Sequence, residues 1–312
     1  MSESSLILGA DGGGSKTLGI LADVDGTEVA RCYVGASNPN VVGVKEAADN
    51  LAELLLACCN EAGRSPEELS AAVFGLAGAG NATIKARLLG ALETVLQKRG
   101  LKMPRTQIES DARIALEGAF GGGPGIIVIA GTGSSVLGKS SEGVITLVGG
   151  WGRLLGDEGS GYFVGREALK ALATMLDGRA KTSPLRSLLE NRFGLGSREG
   201  VVNAVYQEAL AIPSLAPAVL EVAEQGDLVA ADIFRRGAAL LAEQLAVLVR
   251  LYQDLPRIGV VFVGGLIDHD NFYTRTLRDA AWALSSAVDV APPLHSPAMG
   301  AVLLAQQSLQ KR

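Results

Sequence analysis

Cysteine and histidine are scarce in this 312-residue chain: three cysteines (Cys32, Cys58, Cys59) and two histidines (His269, His295). No C-x-x-C pair and no zinc-type spacing exists, so neither a zinc finger nor a disulfide framework is expected, and a reducing, cytoplasmic compartment fits. Cys58 and Cys59 fall on a helical apolar stripe and read as core, and the two histidines read as structural or solvated. Long apolar runs are missing too. The nearest approach to a membrane span, residues 238–252, is broken by Glu243, Gln244 and Arg250 and falls short of the ~20 residues a bilayer requires. Met1–Ser5 is polar and strand pattern follows at once, so no signal peptide is expected. Positive charge is not in excess: the net charge is −5 and the pI near 5.3, which speaks against nucleic acid as a partner.

Hydrophobic residues make up 48% of the chain and charged residues 20%, enough for a large core and too apolar for disorder. The length suggests two domains. Glycine is abundant, 40 of 312 residues, roughly twice the usual share, and it gathers in short loops. The chain is organised around Leu6–Val24, LILGADGGGSKTLGILADV: an apolar run, a glycine loop, a second apolar run. Gly12–Gly14 let the backbone turn tightly and approach a ligand, and successive N–H groups in such a loop form an anion-binding concavity. Asp11, at the end of the first run, repels a phosphate unless a cation lies between them, which points to Mg²⁺. Two familiar motifs fail here. Ser15 stands where a Walker A loop needs glycine, and Thr17 where G-x-G-x-x-G needs its last glycine. A glycine hairpin with no ligand is the plain alternative.

Leu6–Gly9, Leu18–Val24 and Glu28–Val34 read as antiparallel strands, the last two joined at Asp25-Gly26. Gly35–Asn40 reads as a loop, residues 44–59 as an amphipathic helix, Ala71–Leu76 as a buried strand ending in a small-residue loop through Gly80, and Thr83–Lys98 as a helix. Gln107–Glu109 is a strand, and Ser110-Asp111 opens a further helix. This βββαβαβα order then begins again, with strands at Gly125–Ala130, Val136–Lys139, Val144–Val148, Gly259–Val263 and Val288–Ala291 and helices at Asp270–Ser285 and Pro297–Leu309. Gly131-Thr-Gly-Ser134 repeats Gly12-Gly-Gly-Ser15. The second copy carries a helical insertion, residues 161–253. Such duplication predicts two similar domains, 1–115 and 116–312, facing each other across a nucleotide cleft.

The loops DGGGSKT, IAGTGS and VFVGGL resemble the phosphate-1, phosphate-2 and adenosine motifs of the actin/hexokinase/Hsp70 superfamily, with its duplicated ribonuclease H-like fold. GASNPNVVG, ESDARIALEGAF and GGWGRLLGDEGSGYFVGREAL resemble the N-acetylglucosamine kinase branch, which is grouped with the BadF/BadG/BcrA/BcrD ATPases. The resemblance spans nearly the whole chain, and GGWGxxLGDEGSG is its specific part. It implies an α/β ATP-dependent amino-sugar kinase (N-acetylglucosamine or glucosamine, at O6) using ATP and Mg²⁺, with a homodimer through the insertion expected on resemblance alone. Asp111, at a helix start where negative charge is favoured, corresponds to the family's general base, although an ordinary N-cap aspartate is the commoner meaning of that position. Asp11 should act on Mg²⁺. Gly13, Gly14, Ser15 and Thr17 should meet the phosphates from one side and Gly131, Thr132, Gly133 and Ser134 from the other, with Lys16 either on phosphate or merely solvated. Gly264 and Gly265 should let adenosine lie on bare backbone.

Asn38, Gly150, Trp151, Asp157 and Glu158 carry over as the sugar site. Asn40 is an open alternative to Asn38, and Gly80 and Asn81 are weaker candidates. Two competing readings remain. One is an ATPase activator holding an iron–sulfur cluster between subunits, for which these cysteines look ill placed. The other is a sensor without turnover.

Overall fold

The computed structural model describes residues 5–310; the polar start at Met1–Ser5 lies almost wholly outside them. Two compact units account for the fold: the described residues of Met1–Pro124 with Pro293–Arg312, and Gly125–Pro292.

In the first unit, β1 (Leu6–Gly12), β2 (Thr17–Asp23) and β3 (Glu28–Val34) form an antiparallel meander. Its second turn is a four-residue loop rather than a two-residue one: Asp23 Oδ1 accepts from the N–H of Asp25 and Thr27, and Gly26 takes φ 90°. β4 (Leu69–Leu76) and β5 (Arg105–Ser110) add in parallel to β1, giving the order β3-β2-β1-β4-β5. Because both faces of β1 and β4 are covered, they read as nearly unbroken apolar runs. Leu6, Leu8 and Ala10 point into a core with α1 (Pro39–Glu61) and α2 (Ala82–Lys98), while Ile7, Ala71 and Val73 face α3 (Asp111–Ala119) and α10 (Pro297–Gln310).

The second unit repeats this plan. β6 (Gly125–Ala130), β7 (Ser134–Lys139) and β8 (Ile145–Gly149) are antiparallel; β9 (Ile258–Val263) and β10 (Val288–Val290) add in parallel, in the order β10-β9-β6-β7-β8. The predicted insertion is helical: α4 (Gly161–Leu176), α5 (Pro184–Phe193), α6 (Arg198–Tyr206), α7 (Ala216–Glu224) and α8 (Leu228–Leu251) lie between β8 and β9, with α9 (Phe272–Trp282) after β9.

α1 begins at Pro39, inside the stretch read as a loop, because Asn38 caps it; Gly43, at φ 81° and ψ 161°, then kinks it before the regular helix. The first compact unit runs through Pro124 and takes back Pro293–Arg312. α10 closes the second copy in sequence yet packs in the first unit, where Gly9 lets it press on β1 so closely that a Cβ there would lie 2.3 Å from Val302 N. Cys32 on β3 packs against the core cluster that holds Cys58 and Cys59 of α1; burial pushes the Cys58 thiol well above its ordinary range and that of Cys59 up to about 11.

Candidate active site

In the first unit the groups with chemistry gather at the C-terminal ends of β1, β4 and β5, the edge where open α/β sheets place ligands. Register sets Asp11 opposite Gly75 and Gly75 opposite Glu109. Asp111 follows two residues past Glu109. Ser110 caps α3 by accepting from Arg113 N, and Asp111 Oδ1 accepts from Ala112 N, leaving Oδ2 without a partner among the described residues. Gly75 lets α3 come close: a Cβ there would lie 2.3 Å from Ile114 Cδ1. The result is two carboxylates near one another. Burial first, and the charge of Asp111 second, hold the Asp11 carboxyl above its ordinary range.

The glycine hairpin is built as read, with one exception. Gly13 N donates to Lys16 O at 3.0 Å, and Gly13 O accepts from Ser37 N and Asn38 N. Among the described residues nothing engages the N–H of Gly14 or Ser15, both exposed. Lys16 lies over the ring of Tyr33, 5.3 Å from its centre. Thr17, read from the sequence as phosphate-facing, is fully buried, and its hydroxyl bonds Gly35 O at 2.8 Å and Ser37 Oγ at 2.6 Å. It braces the hairpin instead. Asn38 Oδ1 accepts from Asn40 N, while its Nδ2 has no partner among the described residues. Both asparagines converge on Gly78, where a Cβ would meet Asn38 Oδ1 at 2.5 Å and Asn40 Nδ2 at 2.7 Å. Asn81 is the N-cap of α2, bonding Ile84 N, and Gly80 stands in open space.

In the second unit the hairpin 131–134 is open at Gly131 and exposed at Thr132. Ser134 is closed off. It is 5% exposed, its N–H reaches Asp157 Oδ1 at 3.2 Å, and its hydroxyl donates to Glu158 O at 2.7 Å. Asp157, read from the sequence as a sugar ligand, bonds the hairpin through Oδ1. Its backbone takes the left-handed φ of 58°, and a Cβ at Gly133 would lie 3.0 Å from its Oδ1. Glycine at 133 lets that carboxylate lie along the loop. Glu158 Oε2 accepts from Gln244 Nε2 on α8 at 3.0 Å, a partner 86 residues away with no motif to announce it. Gly150 has φ 69° and Trp151 is 74% exposed. Gly264, φ 108°, is required by the chain itself: a Cβ would meet Ala130 O at 2.6 Å, whereas Gly265 borders open space.

A cavity of about 620 Å³ opens beside Thr132 and Asp157, walled by Arg153, Tyr162, Leu210 and Ile212. Its size suits a small-molecule ligand. Sequence reading missed its α6–α7 wall, since nothing in that connection carries a motif.

Two five-stranded sheets of one topology, each with a glycine hairpin after its first strand, define the duplicated ribonuclease H-like, actin-like ATPase fold. The model of the BadF/BadG/BcrA/BcrD ATPase family matches residues 8–305, and the chain belongs to that family. It is similar to an N-acetylmuramic acid/N-acetylglucosamine kinase of Clostridium acetobutylicum (32% identity, covering 96% of this chain and 98% of that one). It is also similar to an N-acetyl-D-glucosamine kinase of Dictyostelium discoideum (28% identity, 97% and 98%). A solved structure of a candidate N-acetylglucosamine kinase from Chromobacterium violaceum superposes with TM-score 0.71 at 29% identity, covering 97% of this chain and 99% of that one.

Proposed function

We propose that the chain is an ATP-dependent amino-sugar kinase that phosphorylates N-acetylglucosamine or a close relative at O6. The carrying observation is the Asp11–Asp111 pair at the end of the parallel strands, in a chain whose relatives are named for this chemistry over nearly their full lengths. A half-buried carboxylate facing a second negative charge fits a divalent cation. Among the described residues no group of three or more His, Cys, Asp and Glu is placed to hold a metal, so Asp11 would hold Mg²⁺ whose other ligands are phosphate oxygens and water, its common mode. When bound, Mg²⁺·ATP supplies the transferable phosphoryl group and neutralises its developing charge.

The chain's own groups do the rest. In the first unit the N–H groups of Gly14 and Ser15 serve as phosphate donors; in the second the Thr132 hydroxyl has the same role, and the cavity beside it, with the open backbone at Gly265, receives the nucleoside. Asp111 takes the proton of the acceptor hydroxyl at Oδ2, while Oδ1 stays fixed by Ala112 N. The start of α3 stabilises the negative charge that a base requires. In the first unit Asn38 Nδ2 is the group for a sugar contact; in the second it is the Glu158 carboxylate, oriented by Gln244. The activator reading gains nothing from the cysteines, whose buried thiols at 58 and 59 resist the ionisation a cluster ligand needs.

ADP release with Mg·ATP against hexoses, hexosamines and N-acetylated sugars tests the proposal. One acetylated amino sugar should stimulate release, and Asp111→Asn should lower kcat by roughly 10²–10⁴-fold with a melting temperature no lower than that of wild type. Slow hydrolysis that no sugar stimulates would overturn the kinase reading.

A further inference from the structure

A second cavity, about 590 Å³, lies in the first unit between α1 and α2, apart from the carboxylates and the glycine hairpin. Four cations line it: Lys45 on α1, Arg87 and Lys98 on α2, and Arg99 at its C-cap; Asp49 is the sole carboxylate in the lining. Among the described residues no ion pair joins any of the four to a carboxylate. In a chain of net charge −5, such a concentration is local. Lys98 and Arg99 also complement the negative end of α2, but Arg87, three turns earlier, and Lys45 have no such reason. The floor is apolar, formed by Val44 and Val95 among others.

We infer that this groove binds an organic phosphate, a phosphate ester carried on a compact ring. The guanidinium groups of Arg87 and Arg99 present forked donors matched to phosphate oxygens. The surplus of positive charge suits a dianion, and the apolar floor takes the face of the ring. The volume is within the usual range for small-molecule sites. The site also touches the reaction, a part that rests on the reading of Asn38 as a sugar contact. α1 and α2 begin at their caps Asn38 and Asn81, and the loops there meet at Gly78. Gly43 is the non-helical joint between the Asn38–Val42 turn and the segment bearing Val44 and Lys45. A ligand bridging α1 and α2 fixes that segment and so shifts the sugar affinity at Asn38.

The test is calorimetric titration, at fixed ionic strength, with glucose 6-phosphate, AMP and inorganic phosphate. Wild-type protein should bind at least one of the organic phosphates. Arg87→Ala/Lys98→Ala should weaken that isotherm at least 10-fold, and Val95→Asp should do the same, while turnover without effector stays within twofold of wild type in Arg87→Ala/Lys98→Ala. Whichever of AMP and glucose 6-phosphate binds more tightly identifies a nucleotide or a sugar phosphate as the source. Identical isotherms in wild type and variants would overturn the site, and inorganic phosphate binding as tightly as the esters would overturn the role of the floor. The sugar KM should shift with the ester in wild type and not in the double variant; binding with no shift overturns the coupling alone. Because the titration reads binding directly, failure of the kinase reading leaves it intact.

Discussion

Gly300→Ala probes how the fold holds the proposed base. At Gly300, α10 crosses α3 so closely that an added Cβ would lie 2.0 Å from Ile114 O and 2.5 Å from Gly118 N. Both are backbone atoms, so no side chain can swing away. Ordinary contact begins at 3.4 Å, so the helices must part by about 1 Å, an overpacking defect that costs ~1–3 kcal/mol. For a chain of this size each kcal/mol lowers the melting temperature by ~2–4 °C, so a loss of several degrees is expected. Ile114 lies one turn from Asp111, and the displaced helix carries the carboxylate with it. Misplacement by ~1 Å can cost ~10²-fold in turnover. Thermal unfolding and sugar-stimulated ADP release measure the two effects. Gly90→Ala on α2 is the control: nothing lies within 4 Å of its Cβ position, so it should stabilise the helix by up to ~1 kcal/mol and leave turnover alone. Wild-type melting and turnover in Gly300→Ala would refute the idea that this crossing sets the position of α3.

Two further predictions concern single carboxylates. Asp11 holds its proton to higher pH in the folded protein than unfolded, so its contribution to stability is present below the ordinary aspartate range near ~4 and is lost as pH rises through the raised native value. Asp11→Asn should therefore melt higher than wild type at pH 7 without Mg²⁺, with the gap closing toward pH 4, and should lose Mg²⁺-dependent turnover; a gap independent of pH would contradict the assignment. Asp157→Asn keeps a residue tolerant of left-handed backbone but removes the charge bonded to Ser134 N. A charge-assisted bond is worth ~1.5–3 kcal/mol, so KM for ATP should rise ~10–100-fold and more than KM for the sugar; the opposite order would restore Asp157 as a sugar ligand.

Local chemistry and periodicity wrote much of this protein into its sequence. The two βββαβαβα halves, the hairpins at 12–17 and 131–134, the insertion as helices, and Asp111 at a helix start all follow from glycine, capping residues and apolar spacing, which act within a few residues. What the sequence left open depends on groups that meet only after folding. Thr17 was indistinguishable from a phosphate ligand until Gly35 and Ser37 came within reach of its hydroxyl. Asp157 looked like a free sugar carboxylate because its bond to Ser134 spans 23 residues, and Gln244 carried no sign of its pairing with Glu158. Cys32 joined the cluster that holds Cys58 only when β3 packed on α1. The membership of α10 was likewise settled by tertiary packing: the bare surfaces at Gly9, Gly118 and Gly300 let it press closely on β1 and α3 of the first unit.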